Sequence, residues 1–254
     1  MRKPIVGLVA AAFLAAMVVP VALSQMESPQ TVYTFVSQFQ VPRANWAQYA
    51  EDTEKNFVPI AEKLMADGAI IGYSTFENVV HTPEGYTHGA AWSSTSLAGL
   101  TRVLDEVRKG SPRPGQIAST KHEDLVMQST THRASAGHGT SGYLRVVCAM
   151  AKPDRPEDYT AGLKKYLLPT FDEEFTKGVV TSYAIESQYV NTLPPSMRCV
   201  VATFPNAEGM DKWAAAINST FGKMSQSDRE AFFSTTVPDS RRDFLSRLTH
   251  YAHK

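Results

Sequence analysis

Sliding the sequence along itself by 110 positions brings key residues into coincidence without a gap. Tyr33 meets Tyr143 (143 − 33), Tyr49 meets Tyr159, Pro59 meets Pro169, Gly68 meets Gly178, Tyr73 meets Tyr183, Thr82 meets Thr192 and Gly99 meets Gly209. The identities are sparse. Six of the named pairs fall on Tyr, Pro and Gly, whose bulk or backbone freedom is hard to replace, and they keep register through several elements. A repeat must be settled before any other feature, because each copy has to be one supersecondary unit of the same plan. The chain therefore reads as two similar units in tandem.

Each unit has the order β-α-β-β-α-β. In the first, Val32 to Val41 is rich in β-branched and aromatic residues, as a strand requires, and Pro42 ends it. Trp46, Tyr49, Thr53, Phe57, Ile60 and Leu64 then recur at the spacing of one helical face, and Gly68 stops the helix. Ala69 to Val80, Tyr86 to Ser93 and Leu125 to Arg133 are further strands, and Leu97 to Val107 is a second helix. The second unit repeats the plan with strands at Tyr143 to Ala151, Val179 to Val190, Met197 to Phe204 and Phe244 to Tyr251. Its helices are carried by Tyr159, Leu163, Leu167, Phe171 and Phe175, and by Met210, Trp213, Ala214 and Ile217. The last strands align after eight added residues, which sets His132 against His250 (250 − 132 = 118), and Gln226 to Phe233 forms an additional short helix in the extra length. Pro59 and Pro169 stand at one place in the two first helices, where an interior proline costs about 3 kcal/mol, so each helix kinks there or restarts with proline in its first turn.

Arg2 and Lys3 precede an uncharged apolar run from Ile5 to Leu23, and Ala22-Leu23-Ser24 supplies the small residues that a signal peptidase needs. Residues 1–24 are read as a signal peptide and the mature protein as secreted or periplasmic, with no membrane attachment after cleavage; an uncleaved anchor is the rival. The chain carries 25 basic and 25 acidic residues. Near-neutrality argues against nucleic acid as a partner, since that needs a basic surface. Unit boundaries follow at 31–133 and 142–254, with a small-residue linker at 134–141.

A β-α-β-β-α-β unit forms a four-stranded antiparallel sheet with both helices on one face. The other face is not polar here. Along Tyr143 to Ala151, one side carries Tyr143, Val147 and Ala149 and the other Leu144, Val146 and Met150. Both faces are expected to be buried, with the sister unit as the simplest cover. The expected fold is α+β: two ferredoxin-like units packed sheet to sheet as a tandem α/β barrel. In element order and duplication, residues 31–254 resemble the dimeric α/β-barrel superfamily in a fused form. Phe57-Val58-Pro59-Ile60 through Gly68 is similar to a helix end of its EthD-like branch, in which a His stands two residues before the proline; Phe57 and Leu167 hold that place here. The resemblance implies a fold and a range of roles: cofactor-free monooxygenases, haem enzymes, isomerases and ligand binders.

His88 and Trp92 share one face of the third strand with Ala90 between them, and Gly89 and Ala90 leave room beside them. One reading makes His88 a catalytic base and Trp92 an aromatic wall; the other makes them a half-exposed histidine and a core tryptophan. Arg198 takes the place of His88 in the second unit. Gln38 and Gln40 would be costly facing the helices unpaired, which favours the cavity side. Tyr73, with Tyr183 its match, sits mid-strand as packing with a bonded hydroxyl. Gln38, Gln40, Tyr73, Trp92 and Arg198 form the candidate ligand-binding set. Cys148 and Cys199 lie on neighbouring strands; export favours a disulfide, and two buried thiols fit equally. No metal ligand set is recognised, and no metal, haem or other cofactor is expected.

Three functions follow. The first is an exported protein that binds a small apolar or aromatic molecule, monomeric because the internal pseudo-twofold supplies its pairing. The second is a cofactor-free monooxygenase or isomerase acting on a small aromatic or quinone-like compound. The third is a structural or interaction module with a filled barrel.

Overall fold

The computed structural model describes residues 30–81, 85–110, 114–190 and 196–254. The expected signal peptide, Thr82, Thr192 and the loop residue Pro112 lie outside the described residues. Among the described residues, nine strands form one sheet: β1 Val32–Gln40, β2 Gly72–Asn78, β3 His88–Ser94, β4 Lys121–Ala134, β5 Gly137–Gly139, β6 Tyr143–Met150, β7 Ser182–Val190, β8 Met197–Phe204 and β9 Arg242–His253. The helices are α1 Trp46–Asp52, α2 Val58–Ala66, α3 Leu97–Lys109, α4 Pro114–Ile117, α5 Pro156–Gly162, α6 Leu168–Thr176, α7 Ala207–Lys223 and α8 Gln226–Phe233. Among the described residues, no helix is long and apolar enough to cross a membrane.

The repeated proline shapes both first helices in the same way. A π-helical turn, Thr53–Phe57, joins α1 to α2, and Leu163–Leu167 joins α5 to α6, with Pro59 and Pro169 in the first turn that follows. Proline removes one backbone donor and its ring crowds the preceding turn, and the wider π turn absorbs both. Gly68 and Gly178 then end the helices at φ +77° and +72°, in the left-handed region that glycine tolerates. Gly99 and Gly209 match for another reason: a Cβ on either would run into the carbonyl of Ala69 or Val179, where the second helix crosses the chain leaving the first. Ser96 and Asn206 cap those second helices, their side chains accepting from the amides of Gly99 (3.1 Å) and Gly209 (2.9 Å).

The strands run in the order β2-β3-β1-β4-β7-β8-β6-β9-β5, every pair is antiparallel, and β9 also pairs with β2, so eight of them close a barrel. The expected α+β barrel is present, and it is closed as one continuous sheet. The halves also join edge to edge, β4 to β7 and β2 to β9, because free edges would leave backbone donors and acceptors unpaired. The expected linker is not all loop either: Gly137–Gly139 adds β5 against β9.

The seams carry matching irregularities. Between Gln128 and Thr131 the β4–β7 register slips, and between Leu248 and His250 the β2–β9 register slips in the same way. The pairings are Thr131 with Ile185 and His250 with Thr75, whose partners are 110 apart (185 − 75). Thr131, not His132, is therefore the counterpart of His250, and the added length is nine residues (250 − 131), not eight. The helices cover the outside of the barrel and bury two apolar cores against it. One is centred on Phe57, Tyr73, Trp92 and Val103, the other on Leu163, Phe171, Tyr183 and Trp213.

Candidate functional site

Alternate strand residues turn away from the helices and line the barrel. On β1 these are Val32, Thr34, Val36 and Gln38, and on β8 Met197, Cys199, Val201 and Thr203. They enclose a cavity of about 560 Å³ with a mostly apolar wall, within the range of small-molecule sites. The barrel is open rather than filled. Polar groups are few and spaced out. Thr34 and Ser93 share a hydrogen bond of 3.0 Å across the β1–β3 pair, and Tyr86 is bonded to Glu123. Burial, then the Glu123 charge, pushes the Tyr86 hydroxyl up to about 12.

Glu186 is the outstanding group. It lies in the middle of β7, opposite Cys199 on one side and opposite the β4 irregularity at Ser129 and Thr130 on the other. It lines the cavity and is only 7% exposed. Its one specific partner is the Thr34 hydroxyl, which favours ionisation; burial outweighs this and raises the carboxyl from 4.5 to about 7. Among the described residues it is the only carboxyl pushed upward. A group poised near neutrality in an apolar cavity can both take and return a proton.

Sulfur flanks this carboxylic acid. Cys148 and Cys199 oppose each other on β6 and β8 and are joined by a disulfide, and Met127 and Met197 pack beside them. Two histidines also line the cavity, His132 and His253, and burial lowers the pKa of both. The Nδ1 of His132 is buried and has no hydrogen-bond partner.

The residues expected from sequence part company here. Gln38 lines the cavity. Gln40 sits at the strand end, where its side-chain oxygen accepts from the Thr120 hydroxyl at 2.9 Å. Tyr73 touches the edge of the cavity, but its hydroxyl donates to Glu62 on α2, as Tyr183 donates to Asp172 on α6. Those acids are themselves 110 apart (172 − 62).

His88 and Trp92 point outward, against the expectation of a cavity wall. His88 is wedged between Trp46 and Tyr49 at ring distances of 5.2 and 4.7 Å, and burial lowers its pKa to about 4. Trp92 stacks on Phe35 and donates to the Leu100 carbonyl. The space above Gly89 is taken by the Phe76 ring. Arg198 also faces outward, to Thr160, the Met197 carbonyl and Glu157, in a smaller pocket outside the β4–β7 seam. Sequence reading missed Glu186. The available signal was an acid in mid-strand, between Ile185 and Ser187, where the sister unit has Phe76.

No protein-family model matches the chain, and no curated protein does. Solved structures do match in fold. A candidate monooxygenase from Fusobacterium nucleatum subsp. nucleatum superposes with a TM-score of 0.67 at 9% identity, covering 88% of this chain and 94% of that one. A candidate monooxygenase from Lactobacillus acidophilus gives 0.57 at 13% identity, with coverages of 88% and 96%. An anthrone oxidase-like protein gives 0.54 at 8% identity, with 88% and 93%. At these identities the likeness is one of fold, and it agrees with the α/β-barrel resemblance.

Proposed function

We propose that this barrel binds a small, flat, largely apolar molecule of aromatic or quinone-like character and exchanges a proton with it through Glu186, as a cofactor-free monooxygenase or isomerase would. The observation that carries the proposal is Glu186 itself, a buried carboxyl with a pKa of about 7 in the wall of an open apolar cavity. When ionised, it takes a proton from an acidic C–H or O–H of the ligand. The resulting anion is delocalised over the ring. It either regains the proton at another atom, which is isomerisation, or reduces dioxygen directly. In the second route one oxygen atom enters the substrate as a carbonyl and the other leaves as water with the two displaced hydrogens. His88, buried on the helix side, is replaced in the base role by Glu186. The neighbours' descriptions name chemistry of this kind, but their likeness is one of fold and the weight rests on the carboxyl.

The test is a panel of phenols, quinols and enolisable ketones offered to the wild type and to Glu186→Gln. Ligand-induced stabilisation reads binding, and dioxygen uptake with product analysis reads turnover. Binding should survive in the variant, and turnover should fall roughly 10²- to 10⁴-fold, the usual share of a general base. Turnover within a few-fold of wild type would remove Glu186 from the mechanism. Binding with no turnover in either protein would leave a ligand carrier.

The finer architecture is part of the proposal. We read residues 31–133 and 142–254 as fused ferredoxin-like units; the equal strand orders β2-β3-β1-β4 and β7-β8-β6-β9 and the repeated π turns support this. The weak EthD-like likeness adds no residue. Barrel closure within one chain supports a monomer. The disulfide supports export, since such bonds persist in oxidising compartments. Protein recovered from outside the producing cell should begin at Gln25; a start at Met1 by N-terminal sequencing would reject cleavage.

A further inference from the structure

We infer that His132 is the second recognition point of the cavity, its Nδ1 taking a hydrogen bond from a polar oxygen at the end of the ligand remote from the atom served by Glu186. This rests on the reading of the barrel interior as a ligand site. Three observations support it. The Nδ1 atom is buried without a hydrogen-bond partner, although such atoms cost about 1–3 kcal/mol when left unpaired. His132 lines the cavity rather than a core.

The third observation is how His132 comes to be there. Along β4 the inward residues are Glu123, Leu125, Met127 and Ser129, so strict alternation would next turn Thr131 and Arg133 inward and His132 out. The slip between Gln128 and Thr131 resets the alternation. Its extra residue is held by Ser129, whose hydroxyl donates to the carbonyls of Thr131 and Ile185, both at 2.8 Å. Arg133 still borders the cavity, but its guanidinium reaches away to Asp172 and over the Phe175 ring, and His132 is turned in. Bulges commonly re-aim a side chain beside a functional site.

His132 pairs with Ala184, two residues along β7 from Glu186 on the same face. The two side chains therefore stand one diagonal step apart, roughly 7–8 Å between backbones. A ligand spanning both needs a flat apolar body with oxygen at both ends. Neutral His132 accepts from a hydroxyl, or in its other tautomer donates to a carbonyl.

Two probes test this: naphthol, with one hydroxyl, and the naphthalenediol with a hydroxyl on each ring. The wild type should bind the diol about tenfold more tightly than naphthol, as one added buried hydrogen bond implies. In His132→Leu the two probes should bind equally, and His132→Asn should recover part of the preference. In the wild type, the ¹⁵N resonance of the His132 Nδ1 should shift with the diol and not with naphthol, which reads the contact without any substitution. A preference that persists in His132→Leu, or a nitrogen resonance indifferent to the diol, overturns the inference. So does equal binding of both probes by the wild type, which leaves the cavity reading intact. Binding of neither probe sinks the cavity reading and the inference with it.

Discussion

Glu186→Gln should be more stable than the wild type at alkaline pH, by about 3 kcal/mol, and close to it near pH 4. The carboxyl pKa is raised from 4.5 in the unfolded chain to about 7 in the fold. Between those values the unfolded chain has released the proton and the folded protein still holds it, so unfolding is increasingly favoured as pH rises. The stability of the protonated group is fully present below about 4.5, is lost through the window up to about 7, and stays lost above it. At about 1.36 kcal/mol per pKa unit, a rise of this size gives the stated order of magnitude. Glutamine keeps the shape and a bond to Thr34 without the charge. Urea unfolding of both proteins at about pH 4 and about pH 8.5 isolates the effect, since all other groups titrate alike in the two. Equal differences at the two pH values would show that the side chain does not hold a buried proton. If Glu186 is a base, wild-type activity rises with pH through about 7, in the direction opposite to stability.

The second large effect is expected at the disulfide. Cys148 and Cys199 close a segment of 51 residues. The chain-entropy relation gives a stabilisation of roughly 4 kcal/mol for a loop of that size, by restricting the unfolded state. For a protein of this length, about 2–4 °C in Tm accompanies each kcal/mol. A Cys148→Ala, Cys199→Ala double variant should therefore melt roughly 8–16 °C below the wild type in the absence of reductant. Both proteins should retain the same strand content by circular dichroism. A shift within about 2 °C would mean that the β6–β8 pairing already restricts the unfolded chain as much as the bond does.

The helices, their prolines and the order of elements were legible because each depends on local chemistry. Proline lacks a donor wherever it stands, and glycine alone accepts the positive φ that Gly68 and Gly178 adopt. The short helix Gln226–Phe233 was visible for the same reason, as was the neighbour relation of the two cysteine strands. The direction in which each strand faces was not. Alternation identifies the inward face only when the other face meets water. Here helices bury one face and the cavity borders the other, so Trp92 and Ala91 are equally plausible inward residues from sequence. The structure turns Ala91 inward and Trp92 out against Phe35.

The sequence by itself determined where the helices break, at Pro59 and Pro169, and the order in which α and β segments follow one another. These are properties of residues and their near neighbours, and they survive any arrangement in space. Only the tertiary structure decided that the units join edge to edge into a closed barrel, that His88 is core, and that Glu186 and His132 meet the same cavity. The reason is that a strand's facing is a relation between elements. Slips in register at both seams, at Gln128–Thr131 and at Leu248–His250, exchange inside for outside along β4 and β9, and no residue type at those positions announces them.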